Sequence, residues 1–141
     1  MERMTYMEIG GKKYPLSFSL AATKAISKKF GSVKKMGEKI SNIEDVNEET
    51  VDAIAYILAV LVAQGCAYKN VFEKDIPAYE GAPVDGEGKY IPLNQEEIEI
   101  GINMTNIGEM ARTIMGTFKK SGETEIETEV PAGKNAEAPE A

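Results

Sequence analysis

The 141-residue sequence contains no histidine and no tryptophan, and Cys66 is its one cysteine. Without histidine, the chain lacks the usual general base near neutral pH and the commonest metal ligand. This excludes Ser-His-Asp catalysis, Cys-His catalysis and histidine-containing zinc sites. A single cysteine forms no internal disulfide, which suits a reducing compartment. We therefore expect a protein that is not an enzyme and that uses no metal ion and no cofactor.

Long hydrophobic runs are also missing. The longest one, residues 53–63, is well short of the ~20 residues that a membrane-spanning helix needs. The first seven residues include Glu2 and Arg3 and are not followed by an apolar run, so no signal peptide is predicted. The expected protein is soluble, cytoplasmic and without a membrane partner.

Basic residues are concentrated at the start of the chain. Residues 1–40 carry nine Lys or Arg against three Glu, whereas residues 41–141 carry seven basic residues against twenty acidic ones. One interpretation is that two halves of one domain attract each other or form ordinary solvated faces. The other is a basic face for an acidic partner or for nucleic acid.

The chain begins with the pattern of a β-hairpin. Two β-prone runs, residues 5–9 and 12–18, flank Gly10 and Gly11, and a Gly-Gly pair suits a two-residue turn because such turns need positive φ. Polar or small residues alternate with apolar ones in the second run, which predicts one buried face. Pro15 has no N–H for a strand ladder, which predicts an edge position.

Five helices are predicted after the hairpin from apolar periodicity, capping residues and glycine stops. The central helix is apolar nearly all round after its first turn, which places it at the core or beneath a partner. Gly65 is expected to end or interrupt it. The predicted helices are residues 20–30 between Ser19 and Gly31, a short helix after Ser32 with Val33, Met36 and Ile40 on one face, the central helix after Asn47, a helix from Asn94 to about Ile100, and a last helix that ends at Gly122.

Two segments are predicted to be irregular. Residues 73–92 contain three prolines and three glycines, which predicts a long loop that is functional or mobile. Residues 121–141 are rich in glutamate and have little to bury, which predicts a disordered acidic tail. The predicted fold class is α+β: a mostly helical single domain over residues 1–120, with an N-terminal β-hairpin and this tail.

The segment 85–90 invites two interpretations as an ion or nucleotide site, and both fail. In a calcium loop starting at Asp85, Lys89 would occupy a ligand position and Tyr90 would replace the required Gly. In a phosphate loop, Tyr90 would stand where Ser or Thr must bind magnesium. We predict neither kind of site.

The last predicted helix carries an apolar face that is rich in methionine. Its spacing is that of one helical face, which is typical of a core contact. The alternative is a groove for partner segments, because methionine-rich surfaces are adaptable. If this face is a groove for partner segments, its residues and the lysines of the basic first helix are candidates for binding a partner. These candidates are Met104, Ile107, Met110, Ile114, Met115, Phe118, Lys24, Lys28 and Lys29.

Nucleic-acid binding is the second functional hypothesis. Six lysines lie between Lys24 and Lys39, and phosphate binding needs such a density of positive charge. However, this segment has no arginine, the residue that most often contacts base edges in DNA. The rest of the molecule is also strongly acidic, which repels DNA. We therefore retain a small cytoplasmic nucleic-acid-binding regulator as the alternative, and otherwise expect no nucleic-acid partner.

The order of these elements resembles the tail assembly chaperones of long-tailed phages and prophages of Gram-positive bacteria. The resemblance covers roughly residues 5–120. It starts with the hairpin sequence Met-Glu-Ile-Gly-Gly-Lys-Lys-Tyr-Pro-Leu at residues 7–16 and continues with an Ala/Lys-rich helix that ends Lys29-Phe30-Gly31. A central apolar helix, a loop and a late helical pair follow. The likeness lies in order and spacing, since no piece of it is a diagnostic motif.

The resemblance implies a small, mostly helical, non-catalytic protein that binds the phage tape-measure protein in the host bacterial cytoplasm. Such proteins keep the hydrophobic helices of the tape-measure protein soluble and help to recruit tail-tube subunits. They are absent from the mature virion. Self-association into a homo-oligomer is also expected, because several weakly binding copies along one long client gain from avidity.

Many genes of this family make a longer minor product by ribosomal frameshifting near their 3′ end. Gly133-Lys134-Asn135 is compatible with the codons GGA AAA AAC, which contain a slippery heptamer. An acidic tail after the last helix would tolerate an appended domain. The other interpretation of these three residues is ordinary linker sequence.

Overall fold

The structure is a computed structural model that describes residues 4–41 and 47–129, apart from the side chains of Met104 and of residues 120–129. A two-stranded antiparallel sheet is followed by helices that pack around one long central helix. This confirms the predicted α+β, mostly helical fold with an N-terminal hairpin. The elements are β1 (Thr5–Ile9), β2 (Lys12–Leu16), α1 (Leu20–Phe30), α2 (Val33–Ser41), α3 (Glu48–Phe72), α4 (Gln95–Gly101), a short 3-10 helix (Met104–Asn106) and α5 (Ile107–Glu129).

The hairpin forms as the Gly-Gly pair predicts. Gly10 and Gly11 both have positive φ, 60° and 87°, which is the conformation of a tight two-residue turn. Ile9 pairs with Lys12 directly beside this turn, and the register continues to the pairing of Thr5 with Leu16.

At every second residue along β2 a backbone N–H would point to the outer edge of the strand, and none of these positions leaves an N–H without a hydrogen bond. Lys13 N–H donates to the Gly81 carbonyl at 2.8 Å, and Ser17 N–H, just beyond the strand, donates to the Leu61 carbonyl of α3 at 3.1 Å. Between them, Pro15 has no N–H to satisfy. The sequence predicts one buried face on this strand, but Pro15 and Ser17 on the opposite face are buried as well. They are buried because α3 covers this edge.

Helices α1 and α2 begin and end where the capping residues predict. The Ser19 side chain accepts a hydrogen bond from Ala22 N–H, and Gly31 ends α1 with a φ of 96°. The Ser32 side chain accepts from Lys35 N–H at 3.0 Å and caps α2. The buried residues Met36 and Ile40 then anchor α2 to the core.

The prediction that Gly65 ends or interrupts the central helix is wrong. Helix α3 starts after the predicted cap, Asn47, and continues through Gly65 to Phe72. Gly65 is buried against the backbone of β2: a Cβ added there would lie 2.0 Å from the Pro15 carbonyl oxygen. Glycine is needed here for close approach of a strand, and not for a change in helix direction.

The predicted loop at residues 73–92 is tied to the rest of the fold. The Tyr79 hydroxyl donates a hydrogen bond to the Lys13 carbonyl at 2.5 Å. The Asn70 side chain makes two hydrogen bonds with the backbone of Tyr90, at 2.9 and 3.0 Å. Val84 and Tyr90 form an isolated antiparallel bridge within the loop. The loop is therefore irregular but extensively bonded.

Helix α4 has the predicted capping box, in which Asn94 and Glu97 each accept from the other's backbone N–H. The predicted end of the last helix at Gly122 is wrong, because α5 continues to Glu129. Residues 121–129, assigned from the sequence to the acidic tail, thus belong to α5. The rest of the predicted tail, and the Gly133-Lys134-Asn135 site, lie outside the described residues.

Candidate partner-binding groove

The predicted methionine-rich face of α5 lies against the core. Ile107, Met110 and Ile114 are buried, together with Ala111. Met115 and Phe118 are partly buried and pack against the same cluster. The buried residues are part of what holds α5 in place, so a partner reaches Ile107, Met110 and Ile114 only if α5 leaves the core.

Two contacts show how α5 is held. A Cβ added to Gly37 of α2 would lie 3.5 Å from the Met115 side chain, so α5 passes close to α2. The Phe118 ring lies 5.1 Å from that of Phe18, which lies two residues before α1. Met104, the remaining candidate on this face, has a side chain outside the described set.

The predicted lysines are on the surface. Lys24, Lys28 and Lys29 are all exposed on α1. Lys29 places its Nζ 5.1 Å from the centre of the Tyr56 ring, a cation–π contact with α3. The structure therefore separates the candidate site residues: the three lysines are exposed, whereas the α5 residues are buried or, for Met115 and Phe118, partly buried.

A surface that the sequence did not single out lies on α3. Tyr56, Ala59, Val60 and Ala63 are only partly buried, at the spacing of one helical face. With Leu93 and its neighbours from the chain entering α4, they line a shallow, mainly apolar groove of about 490 Å³. We call this the α3 groove. The same face of α3 continues beyond it as the exposed residues Ala67 and Val71.

Helix α1 packs against α3 beside Tyr56, at one end of the α3 groove. The Ser19 hydroxyl donates to Gln64 of α3 at 2.6 Å, and the Tyr56 hydroxyl contacts the Ala25 carbonyl at 3.5 Å. These contacts join the start of α1 to the later part of α3 and the middle of α1 to the earlier part, so the two helices run antiparallel.

The residues before α4 and the first turn of that helix form one wall of the groove, and this wall includes the acidic Glu97. The Gln95 side chain reaches the Asp52 carbonyl of α3 at 3.5 Å, which fixes the start of α4 beside the groove. Glu96, Glu97 and Glu99 are exposed on this short helix. The α3 groove thus has an apolar floor on α3 and a polar wall that includes Glu97.

A second cluster surrounds the buried side chain of Lys69. Its Nζ donates to Glu73 at 2.9 Å and lies 5.4 Å and 5.7 Å from the ring centres of Tyr6 and Tyr79. Burial works against the charged ammonium, but hydrogen bonds to Glu73 and Tyr6 outweigh it and raise the pKa of Lys69. This lysine stays protonated and ties α3 to β1 and the loop, so its role is structural.

Cys66 and Asp85 also have shifted pKa values, but neither forms a reactive site. Burial raises the pKa of the Cys66 thiol to about 12, which makes it a poor nucleophile. Asp85 accepts from the N–H groups of Glu87 and Lys89 at 2.8 and 3.0 Å, so it closes its own turn. Segment 85–90 is a tight turn in which the carboxylate is already bonded.

Three further tests bear on function. Within residues 4–41 and 47–129, no group of three or more His, Cys, Asp or Glu is placed to hold a metal ion. Helix α3 is long and apolar enough to cross a membrane, but more than half of its most apolar stretch is buried inside the fold, as in a core helix. No known protein family, curated protein or solved structure matches this chain.

Proposed function

We propose that this protein is a phage tail assembly chaperone that binds helical segments of the tape-measure protein and does no catalysis. The observation that carries the proposal is the α3 groove, an apolar surface on the central helix beside the start of α4. Such a surface suits an amphipathic client helix, which buries its apolar face in a groove of this kind. The order of elements seen in the sequence supports the same assignment.

The remaining parts of the proposal follow from this assignment. The protein acts in the host bacterial cytoplasm, assists the assembly of tail-tube protein around the tape-measure protein, and is not retained in the mature virion. Several copies act on one long client, so that weak individual contacts add up through avidity. A minor longer product arises by frameshifting at the codons for Gly133-Lys134-Asn135.

Co-expression tests the main proposal. The tape-measure gene from the same phage or prophage would be expressed in a bacterial host with and without this protein, and its soluble fraction measured. We expect the tape-measure protein to be soluble and to co-purify only when this protein is present. Insolubility in both cultures, with no co-purification, would refute the chaperone function.

The frameshift has its own test. The native gene would be expressed with its natural downstream DNA and an N-terminal tag, and every tagged product would be weighed by mass spectrometry. We expect a minor species extended in the −1 frame beyond Asn135. A single product that ends at Ala141 would refute the frameshift and leave the chaperone function to the co-expression test.

A nucleic-acid-binding regulator is the second candidate, favoured by one observation. Lys24, Lys28, Lys29, Lys34 and Lys35 are all exposed on α1 and α2. Phosphate contacts made by these lysines would weaken steeply as salt rises. A mobility shift with duplex DNA at low salt that disappears at higher salt would support this function, and the absence of a shift at low salt would remove it.

A further inference from the structure

We propose that the outer edge of β1 binds an extended, basic segment of another protein, which adds to the hairpin as a third strand. This inference goes beyond the proposed function, in which helical client segments occupy the α3 groove. It is carried by unpaired backbone groups on β1 that face a groove beside α5.

The register of the hairpin determines which backbone groups of β1 point outwards. Lys13 N–H points away from β1, because it donates to the Gly81 carbonyl. In an antiparallel pair, the residue opposite such a position also directs its N–H and C=O groups away from the partner strand. Glu8 lies opposite Lys13, so its N–H and C=O groups face the outer edge of β1. The same groups of Tyr6, two residues earlier, face this edge as well.

These four backbone groups are unpaired. Among residues 4–41 and 47–129, no hydrogen bond reaches the backbone N–H or C=O of Tyr6 or of Glu8. The two edges of the hairpin therefore differ: the outer N–H groups of β2 are bonded within the chain, whereas those of β1 are left for water or for a partner. An exposed edge of this kind is a template for the addition of another strand.

A groove of about 420 Å³ lies along this edge, and we call it the β1 groove. One side is formed by β1 and the turn at Gly10 and Gly11, and the other by the start of α5, from Asn106 to Thr113. A Cβ added to either glycine would meet nothing within 4 Å, so the turn end of the groove is open. Because neighbouring strands lie about 4.8 Å apart, a third strand beside β1 would occupy this groove.

The charges of the β1 groove select the chemistry of the partner segment. Its charged lining residues are Glu8 on β1 and Glu109 on α5, and both are exposed. Lys13 lies opposite Glu8 in the hairpin, but the two form no ion pair in the described part of the chain. A segment with lysine or arginine side chains therefore complements this groove, whereas an acidic segment is repelled.

An extended segment fits the β1 groove better than a second folded copy does. The β1 strand of a second copy would have to enter between β1 and α5 of the first, and its own α5 borders the same edge. The two α5 helices would then compete for one space, whereas a lone extended segment brings no helix with it. Residues 130–141 of this chain are also a poor match, because they carry two glutamates and two prolines against one lysine.

Amide hydrogen exchange in the full-length protein tests the edge itself. The N–H groups of Met7 and Ile9 pair with β2, whereas those of Tyr6 and Glu8 face outwards. We expect the Tyr6 and Glu8 amides to exchange at least about tenfold faster than those of Met7 and Ile9. Equal protection of all four amides would show that the edge is already covered, and would refute the proposal.

A peptide probe tests the addition of a strand. The probe is a seven-residue peptide of alternating valine and lysine, titrated into the isotope-labelled full-length protein and followed by NMR. We expect it to shift the signals of the Tyr6 and Glu8 amides and to slow their exchange. A peptide with glutamate in place of lysine should bind at least about tenfold more weakly. No binding of the lysine peptide, or equal binding of the two peptides, would refute the proposal.

Two N-methylated versions of the lysine peptide separate backbone pairing from side-chain contact. A strand directs successive N–H groups to opposite sides, so only one alternating set can face β1. One version is methylated at its lysine amides and the other at its valine amides. We expect one methylated peptide to lose binding and the other to keep it, and equal loss or equal retention would refute strand addition.

Two substitutions at Glu8 test the same edge from the side of the protein. Glu8→Pro removes the outward N–H and leaves the bonds to β2 in place, as Pro15 does on the other strand. Glu8→Gln is its matched variant, which removes the charge and keeps the N–H. We expect Glu8→Pro to abolish binding of the lysine peptide and Glu8→Gln to weaken it about threefold. Full binding by Glu8→Pro would refute the proposal.

Two controls accompany these variants. Glu38→Gln removes an exposed carboxylate from α2, outside the β1 groove, and should leave peptide binding unchanged. Circular dichroism would verify that each variant is folded. If Glu8→Pro does not fold, the two methylated peptides and the wild-type protein still decide the outcome.

A second copy of the chain is the competing occupant. If the wild-type protein is a dimer by light scattering and Glu8→Pro makes it monomeric, the edge is a self-association surface and the proposal is wrong. If Glu8→Pro leaves the oligomeric state unchanged while abolishing peptide binding, the partner assignment stands. The chaperone function is judged by the co-expression test alone, so either proposal can fail without the other.

Discussion

Gly65 of α3 lies directly against the carbonyl group of Pro15 in β2. A Cβ at position 65 would come within 2.0 Å of the carbonyl oxygen and 2.4 Å of the carbonyl carbon. Both atoms belong to backbone, which cannot rotate away as a side chain can. The packing distance between the hairpin and the central helix is therefore set by the absence of a side chain at one residue.

Gly65→Ala should destabilise the protein by more than about 2 kcal/mol, because the added methyl group forces β2 away from α3. Gly116→Ala is the matched control: Gly116 also lies inside a helix, but nothing lies within 4 Å of its added Cβ. That substitution should be neutral or stabilise by up to ~1 kcal/mol through helix propensity. Urea unfolding of both variants measures the difference, and equal stabilities would contradict the close packing.

Lys69→Met should destabilise the fold by about 1–3 kcal/mol, because it leaves the Glu73 carboxylate without its partner in a largely buried cluster. Lys74→Met, a change at an exposed lysine nearby, should cost less than about 0.5 kcal/mol. Since the pKa of Lys69 is raised on folding, its contribution is fully present below the ordinary lysine value of 10.5 and is lost only as pH rises through the higher pKa of the folded state. The difference in free energy of unfolding between wild type and Lys69→Met, measured by thermal unfolding, should therefore stay constant between pH 7 and 10.

The Asp85 turn should weaken in acid. Hydrogen bonds from Lys89 N–H and Glu87 N–H lower the pKa of Asp85 below its ordinary value of 3.8. The carboxylate form holds the turn, so this contribution is present above pH 3.8 and is lost as pH falls through the lower pKa of the folded chain. The amide proton shifts of Glu87 and Lys89 should titrate with a midpoint below 3.8, and a midpoint at or above that value would contradict the bonding. Asp85→Asn should abolish the titration while keeping an acceptor oxygen.

Cys66 should resist thiol reagents in the folded protein. Burial raises its pKa from 9.0 to about 12, which lowers the thiolate fraction at pH 8 by roughly a thousandfold, and limited access slows the reaction further. A disulfide reagent such as DTNB should react slowly in buffer and completely in denaturing urea. Rapid reaction in buffer would show that this part of the core opens readily.

The helix boundaries that local chemistry controls could be predicted from the sequence. Ser19 and Gly31 enclose α1 because their effects act within one turn of the helix. The role of Gly65 could not be predicted in the same way. Glycine either ends a helix or admits a close neighbour, and at this position the deciding neighbour is Pro15, fifty residues earlier in the chain.

The candidate site was predictable only in part, for a related reason. Lysines on an amphipathic helix such as α1 face water, so the exposure of Lys24 and Lys28 follows from periodicity. Helix α3, by contrast, has few polar side chains to mark its outer face. Which of its apolar residues remain accessible depends on where α1 and α4 come to lie, and this is why the groove at Tyr56 and Val60 was missed.

The bonded outer edge of β2 also limits how copies of this protein can associate. A strand from another molecule extends a sheet by pairing with free N–H and C=O groups at its edge, and such exposed edges are a common start of aggregation. Along β2 the N–H groups of Lys13 and Ser17 are already engaged within the chain, and Pro15 offers none. Growth of an intermolecular sheet from this strand is thereby blocked, so copies that meet on the β2 side of the hairpin would do so through side chains and could separate again without breaking backbone pairing.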